Sequence, residues 1–196
     1  MHTYRPRSAR ITAVSIVAIA AAIGAARIAG DGVRDAGPSI GLAALAAIAG
    51  VVGYWRPSIA VDADYVDVRN VLRRAHIPFA RVIHVDTKWA LELYLDDGSK
   101  VSAFAAPAPG AFAARTMRVE DARGLPRDTY LAGTVRPGDR RGTPSGDAAL
   151  LVRKALADYR KRAAHDAADP VTRTVDVAAV LALAVGFAAA VAGFLV

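Results

Sequence analysis

Apolar residues along the chain follow two different patterns. In three blocks, Ile11 to Ile28, Pro38 to Trp55 and Val175 to Val196, they run almost without interruption, while nearly all the charge lies between the blocks and near the N-terminus. A helix needs about 20 mostly apolar residues to cross a hydrocarbon core, and at about 1.5 Å per residue the third block offers about 33 Å. Only Asp176 interrupts it, at its edge. The first block closes on Arg27, whose side chain can reach headgroups, and the second ends in Tyr54, Trp55 and Arg56, an interfacial anchor. The basic start with Ala25 and Ala26 also fits a cleaved signal peptide. A second apolar segment after a loop of about ten residues fits a helical hairpin better, because cleavage would leave that segment without its partner.

From Ser58 to Ala106 the pattern changes to short alternating runs separated by turn signals, as in strands. Ile59 to Asp62 and Tyr65 to Asn70 flank the tight connection Ala63-Asp64. Arg81 to Asp86 alternates, and Trp89, Leu91, Leu93 and Leu95 fall on one side of the next run. Asp96-Asp97-Gly98-Ser99 supplies the turn into Lys100 to Phe104. Beyond Ala106 periodicity fades, although Thr129 to Val135 suits a further strand and Arg136 to Gly142 reads as exposed loop. A helix-start signal at Ser145 to Asp147 then precedes Leu151, Ala155, Leu156 and Tyr159 at helical spacing.

The sequence therefore predicts an α+β chain. A basic N-terminus (1–10) leads into a transmembrane helical hairpin (11–56), followed by a β-domain core forming a curved antiparallel sheet or barrel (57–106). An irregular Arg/Gly/Pro-rich segment (107–146), an amphipathic helix (147–169) and a C-terminal transmembrane helix (172–196) complete it. Lys and Arg near the span ends, namely Arg5, Arg7, Arg10, Arg56, Lys161, Arg162 and Arg173, put the N-terminus and the central domain in the cytoplasm and the C-terminus at the outer face. Small residues at helical spacing, Ala46 with Gly50 and Ala189 with Gly193, permit close helix packing.

Charge and composition narrow the chemistry. Lys and Arg number 25 against 18 Asp and Glu, a balance of 25 − 18 = +7 that suits an anionic membrane surface or a nucleic acid. Acids interleave with the bases and no aromatic stacking platform is evident, which disfavours nucleic acid. The chain has no Cys, and its four His are scattered without ligand spacing, so no metal or cofactor is expected. No phosphate loop or hydrolase motif occurs, and no enzyme is expected. Asp96 and Asp97 read as turn formers, and His84 with Asp86 as a surface pair on one strand face. The best candidates for contact with a partner or with anionic headgroups are Arg69, Arg73, Arg74 and Arg81, each worth about 1 kcal/mol beside an acidic leaflet.

Several short motifs occur in a familiar order: Arg56-Pro57 leaving the second span, Val68-Arg69-Asn70, Ile77-Pro78-Phe79, and Leu95-Asp96-Asp97-Gly98. On these the chain resembles the bacterial pleckstrin-homology-like (PH-like) membrane proteins, in particular the actinobacterial low-molecular-weight protein antigen 6 group. The resemblance covers Tyr54 to Phe104. It implies a PH-like fold at the cell (inner) membrane without catalytic residues. The expected role is a protein- or lipid-interaction module with an unidentified membrane or cytoplasmic protein partner. The alternative is an accessory subunit of a transport or envelope-maintenance complex that binds through its helices.

Overall fold

The computed structural model describes residues 1–110, 130–131, 134–162 and 169–195. The chain divides into two units: Met1–Pro6, Ser58–Asn70 and Arg74–Thr174 form a sheet-and-helix unit, and Arg7–Pro57, Val71–Arg73 and Val175–Val196 a helical one. Among the described residues the fold is α+β.

In the first unit, strands β1 (His2–Tyr4), β2 (Ser58–Val61), β3 (Tyr65–Arg69) and β4 (Arg73–Pro78) pair antiparallel in order, and β10 (Thr172–Val175) adjoins β4. A second antiparallel sheet holds β5 (Val82–Asp86), β6 (Ala90–Leu95) and β7 (Lys100–Pro107). Strands β8 (Tyr130–Leu131) and β9 (Thr134–Val135) make a two-residue ladder within the stretch expected to hold one strand. Neither larger sheet closes on itself, so a barrel is absent among the described residues.

Alternation explains the core. In β3 Val66 and Val68 point inward opposite Val61 and Ile59, and in β6 Leu91 and Leu93 do so opposite Ala103 and Val101, and Leu95 opposite Val82. Helix α3 (Pro144–Arg162) supplies Ala148, Ala149, Val152 and Leu156 to the same core. Thr143 caps this helix, its Oγ1 accepting the Gly146 amide at 3.0 Å, so the helix starts just ahead of the expected signal. Leu151, expected on the apolar face, is exposed, because the buried stripe runs through Val152 instead. Residues 163–168 at the end of the expected helix, and 111–129 of the irregular segment, lie outside the described residues.

Within the basic N-terminus, His2, Thr3 and Tyr4 pair with Val61, Ala60 and Ile59, a strand too short to show a period in the sequence. Two further expectations are corrected. Trp89 is 73% exposed rather than in line with Leu91, because it precedes the first residue of β6. Arg136 to Gly142 is not all exposed loop, since Pro137–Asp139 forms a 3₁₀ turn with Gly138 and Asp139 buried.

The helical unit comprises α1 (Arg7–Asp35, broken at Gly32 where φ is +79°), α2 (Gly37–Gly50, continued by a π-helical turn at Val51–Trp55) and α4 (Val177–Gly193). Arg7–Gly30 and Gly37–Trp55 are long and apolar enough to cross a membrane, and only 11% and 17% of their most apolar windows are buried, unlike core helices of a globular protein. The third apolar helix starts later than its apolar block: the β-branched Thr172–Val175 is a strand and Asp176 caps the helix. That leaves a helix of 17 residues, about 25 Å at about 1.5 Å per residue, at the short end of the lengths that cross a bilayer.

Small residues line the inside of this unit and large ones its outside. Ala13, Ala20, Ala36, Gly41, Gly50, Ala179, Gly186 and Ala190 are buried, whereas Ile11, Ile19, Ile23, Leu181, Val185 and Phe187 are exposed. Helices α2 and α4 approach so closely that a methyl group on Gly41 would stand 2.5 Å from the Ala189 carbonyl oxygen. Gly193 meets the Gly37 backbone and Gly50 meets Ile16. Ala46, expected to pair with Gly50, is exposed instead.

Candidate functional site

The four arginines singled out by sequence do not form one cluster. Arg69 and Arg74 are direct cross-strand partners where β3 turns into β4, an arrangement that concentrates positive charge. Arg73, the first residue of β4, is exposed beside Arg74 in the chain. Arg81 follows the other end of β4, beyond Pro78. Its guanidinium donates to Asp96 at 2.8 Å and is held above its ordinary pKa chiefly by that hydrogen bond. Its charge is thus largely answered within the domain.

Asp96 and Asp97 belong to the β6–β7 turn. Gly98 adopts φ +76°, and Asp97 Oδ1 accepts the Ser99 amide at 2.8 Å, which lowers the Asp97 pKa together with the larger contribution of the Ser99 side chain. His84 and Asp86 share a face but do not pair. His84 lies over Tyr94 with ring centroids 6.1 Å apart, while Asp86 binds Arg136 and the Thr87 amide.

That outer face of the β5–β7 sheet holds a network that alternation hinted at but whose burial it did not reveal. Glu92 is buried, accepting from Lys100 Nζ at 3.0 Å and from Tyr94 Oη at 3.2 Å. The Lys100 pKa rises, chiefly through its hydrogen bond to Glu92. A carboxylate so enclosed is satisfied by its partners and anchors the face rather than offering a reactive group.

Both edges of the same sheet are occupied by side chains. On β7 the Asn70 amide donates to the Ser102 carbonyl and accepts from the Phe104 amide, each at 2.8 Å, as a neighbouring strand would. On β5 Arg160 donates to the Val82 and Ile83 carbonyls at 3.2 Å, and Arg153 to the Val85 carbonyl at 2.9 Å. Arg153 also pairs with the buried Asp139 at 2.7 Å. Strand addition at either edge of this sheet would have to displace these groups.

In the helical unit, Arg56 at the end of α2 donates to both carboxylate oxygens of Asp176, at 3.0 and 3.2 Å. Asp176 is almost fully buried, caps α4 by accepting the Ala179 amide, and donates its own amide to the Leu72 carbonyl at 2.8 Å. Arg10 stands 5.6 Å over the Trp55 ring. Comparison of the chain with protein-family models, with curated proteins and with solved structures finds no match.

Proposed function

We propose that this is an integral protein of the bacterial inner membrane whose sheet-and-helix unit is a cytoplasmic, PH-like and non-catalytic interaction module for a protein or for lipid headgroups. The observation that carries the membrane part is the inverted helical unit, with alanine and glycine inside and isoleucine, leucine, valine and phenylalanine outside. In water such a surface would drive aggregation; in lipid it is the ordinary arrangement, because close backbone approach and not burial of large side chains holds the helices together.

Orientation is supported by the charge at one end of this unit. Gly50 packs on Ile16 and Gly37 on Gly193, so the start of α1, the end of α2 and the start of α4 lie together. Arg7, Arg10 and Arg56 gather there, and the positive-inside rule puts that end in the cytoplasm. Two antiparallel sheets sharing one core with the amphipathic α3 support the PH-like reading, and Arg69, Arg73 and Arg74 remain its candidate contacts.

Reporters active only outside the membrane, fused at Gly32, Ala106 and Val196, should give signal at the first and last positions and none at Ala106. A purified chain that stays dissolved without detergent would overturn the proposal. Crosslinked adducts formed by the full chain in its membrane should vanish when residues 58–169 are deleted. Their retention by the helices alone would favour the accessory-subunit alternative.

A further inference from the structure

An open groove of about 820 Å³ lies wholly within the sheet-and-helix unit, between the β1 and β2 ends and α3. Its floor is apolar, with Val61, Leu151 and Ala155, and Leu151 is an exposed large hydrophobe on an otherwise well-packed helix. Its walls are mainly cationic: Lys154, Lys161 and Arg162 stand against the carboxylates of Asp62 and Asp158.

The two acids are already engaged. Asp62 lies 3.8 Å from the Met1 amine and Asp158 lies 3.7 Å from Lys161. Arg162 donates to the Ala63 carbonyl at 2.8 Å and faces Asp64 at 3.6 Å. Lys154 has no hydrogen-bond or ion-pair partner among the described residues. The residual field of the groove is therefore positive and centred on Lys154, one helical turn from Leu151.

From these features we infer that the groove docks a short, extended acidic peptide carrying one apolar anchor residue. Leu151 to Arg162 spans about 16 Å of helix, the length of about five extended residues. Acidic side chains four residues apart share one face of such a peptide at about 13 Å, within reach of the flexible Lys154 and Lys161, which lie two turns or about 10 Å apart, and the apolar residue midway between those acids shares that face and meets Ala155 and Leu151. The inference deepens the interaction-module reading by naming the partner's chemistry, and the groove itself does not depend on where the helices reside.

The test uses the full chain in nanodiscs of neutral phosphatidylcholine and a fluorescein-labelled peptide with the sequence Glu-Ser-Leu-Ser-Glu, which sets both acids and the leucine on one face, followed by anisotropy. Saturable binding is expected, weakened at least tenfold by Lys154→Glu and by Leu151→Asp, and unchanged by Lys88→Glu, which alters an exposed lysine outside the groove. A peptide in which serine replaces leucine should bind at least fivefold more weakly. Absence of saturable binding would overturn the inference, as would equal loss with Lys88→Glu or indifference to the serine exchange. Association with vesicles containing phosphatidylglycerol that depends on Lys154, with no binding of the peptide, would overturn it in favour of an acidic lipid. Failure of the topology reporters leaves this binding measurement unaffected, so the two readings fail separately.

Discussion

The Asn70 side chain takes the place of a strand on the open edge of β7, and its removal gives a local, measurable effect. Asn70→Ala deletes two neutral hydrogen bonds, to the Ser102 carbonyl and from the Phe104 amide, both 2.8 Å long. Each such bond contributes about 0.5–1.5 kcal/mol net. Asn70 is half-buried, so water replaces part of the loss and the expected cost is about 1.5 kcal/mol, close to tenfold in an equilibrium. Hydrogen exchange on the full chain in detergent should show the Phe104 amide exchanging about tenfold faster, with smaller changes at amides of β6. Asn70→Asp keeps an acceptor for Phe104 but turns a carboxylate oxygen on the Ser102 carbonyl. It should therefore fail to restore wild-type protection at neutral pH. Unchanged protection of Phe104 in Asn70→Ala, or wild-type behaviour of Asn70→Asp, would refute the strand-mimic reasoning.

Other consequences follow from single sites. Gly41→Leu places a side chain where even a methyl would meet the Ala189 carbonyl oxygen, and should lower the thermal midpoint of the detergent-solubilised chain sharply, whereas Gly53→Leu, with open space around it, should not. Asp176→Asn keeps the helix cap but loses the ion pair with Arg56, so Asp176→Ala should be worse by about 1 kcal/mol in thermal unfolding, the usual worth of a cap. Burial, aided by the charge of Asp147, raises the Tyr4 pKa to about 12. The neutral phenol therefore contributes stability that is fully present below about pH 10 and lost as the pH climbs through about 12. Tyr4→Phe should flatten that alkaline loss in unfolding experiments, and spectrophotometric titration should lose a tyrosine step near pH 12.

Much of the architecture was legible because it depends on local periodicity. The alternation in Tyr65 to Arg69 and in Leu91 to Leu95, and the turn residues around Gly98, specify strands and their inward faces without help from the rest of the chain. The long apolar runs of α1 and α2 likewise follow from composition alone. Where the period is interrupted the reading failed. A register shift between Val82 and His84 throws Ile83 outward, although strict alternation from Arg81 to Asp86 would set it on the same face as the buried Val85.

Contacts between residues distant in sequence were decided by the tertiary structure. The strand character of His2–Tyr4 exists only because β2 offers an edge, and the end of α3 meets Ala63 only because the sheet brings them together. The candidate arginines show the same division: their identity and charge could be read from the chain, but the ladder sets Arg69 opposite Arg74 and Asp96 draws Arg81 away. The physical reason is range. Periodicity and turn chemistry act over a few residues, whereas burial of Glu92, closure of the β7 edge by Asn70 and the open groove beside Lys154 arise from packing across the whole unit.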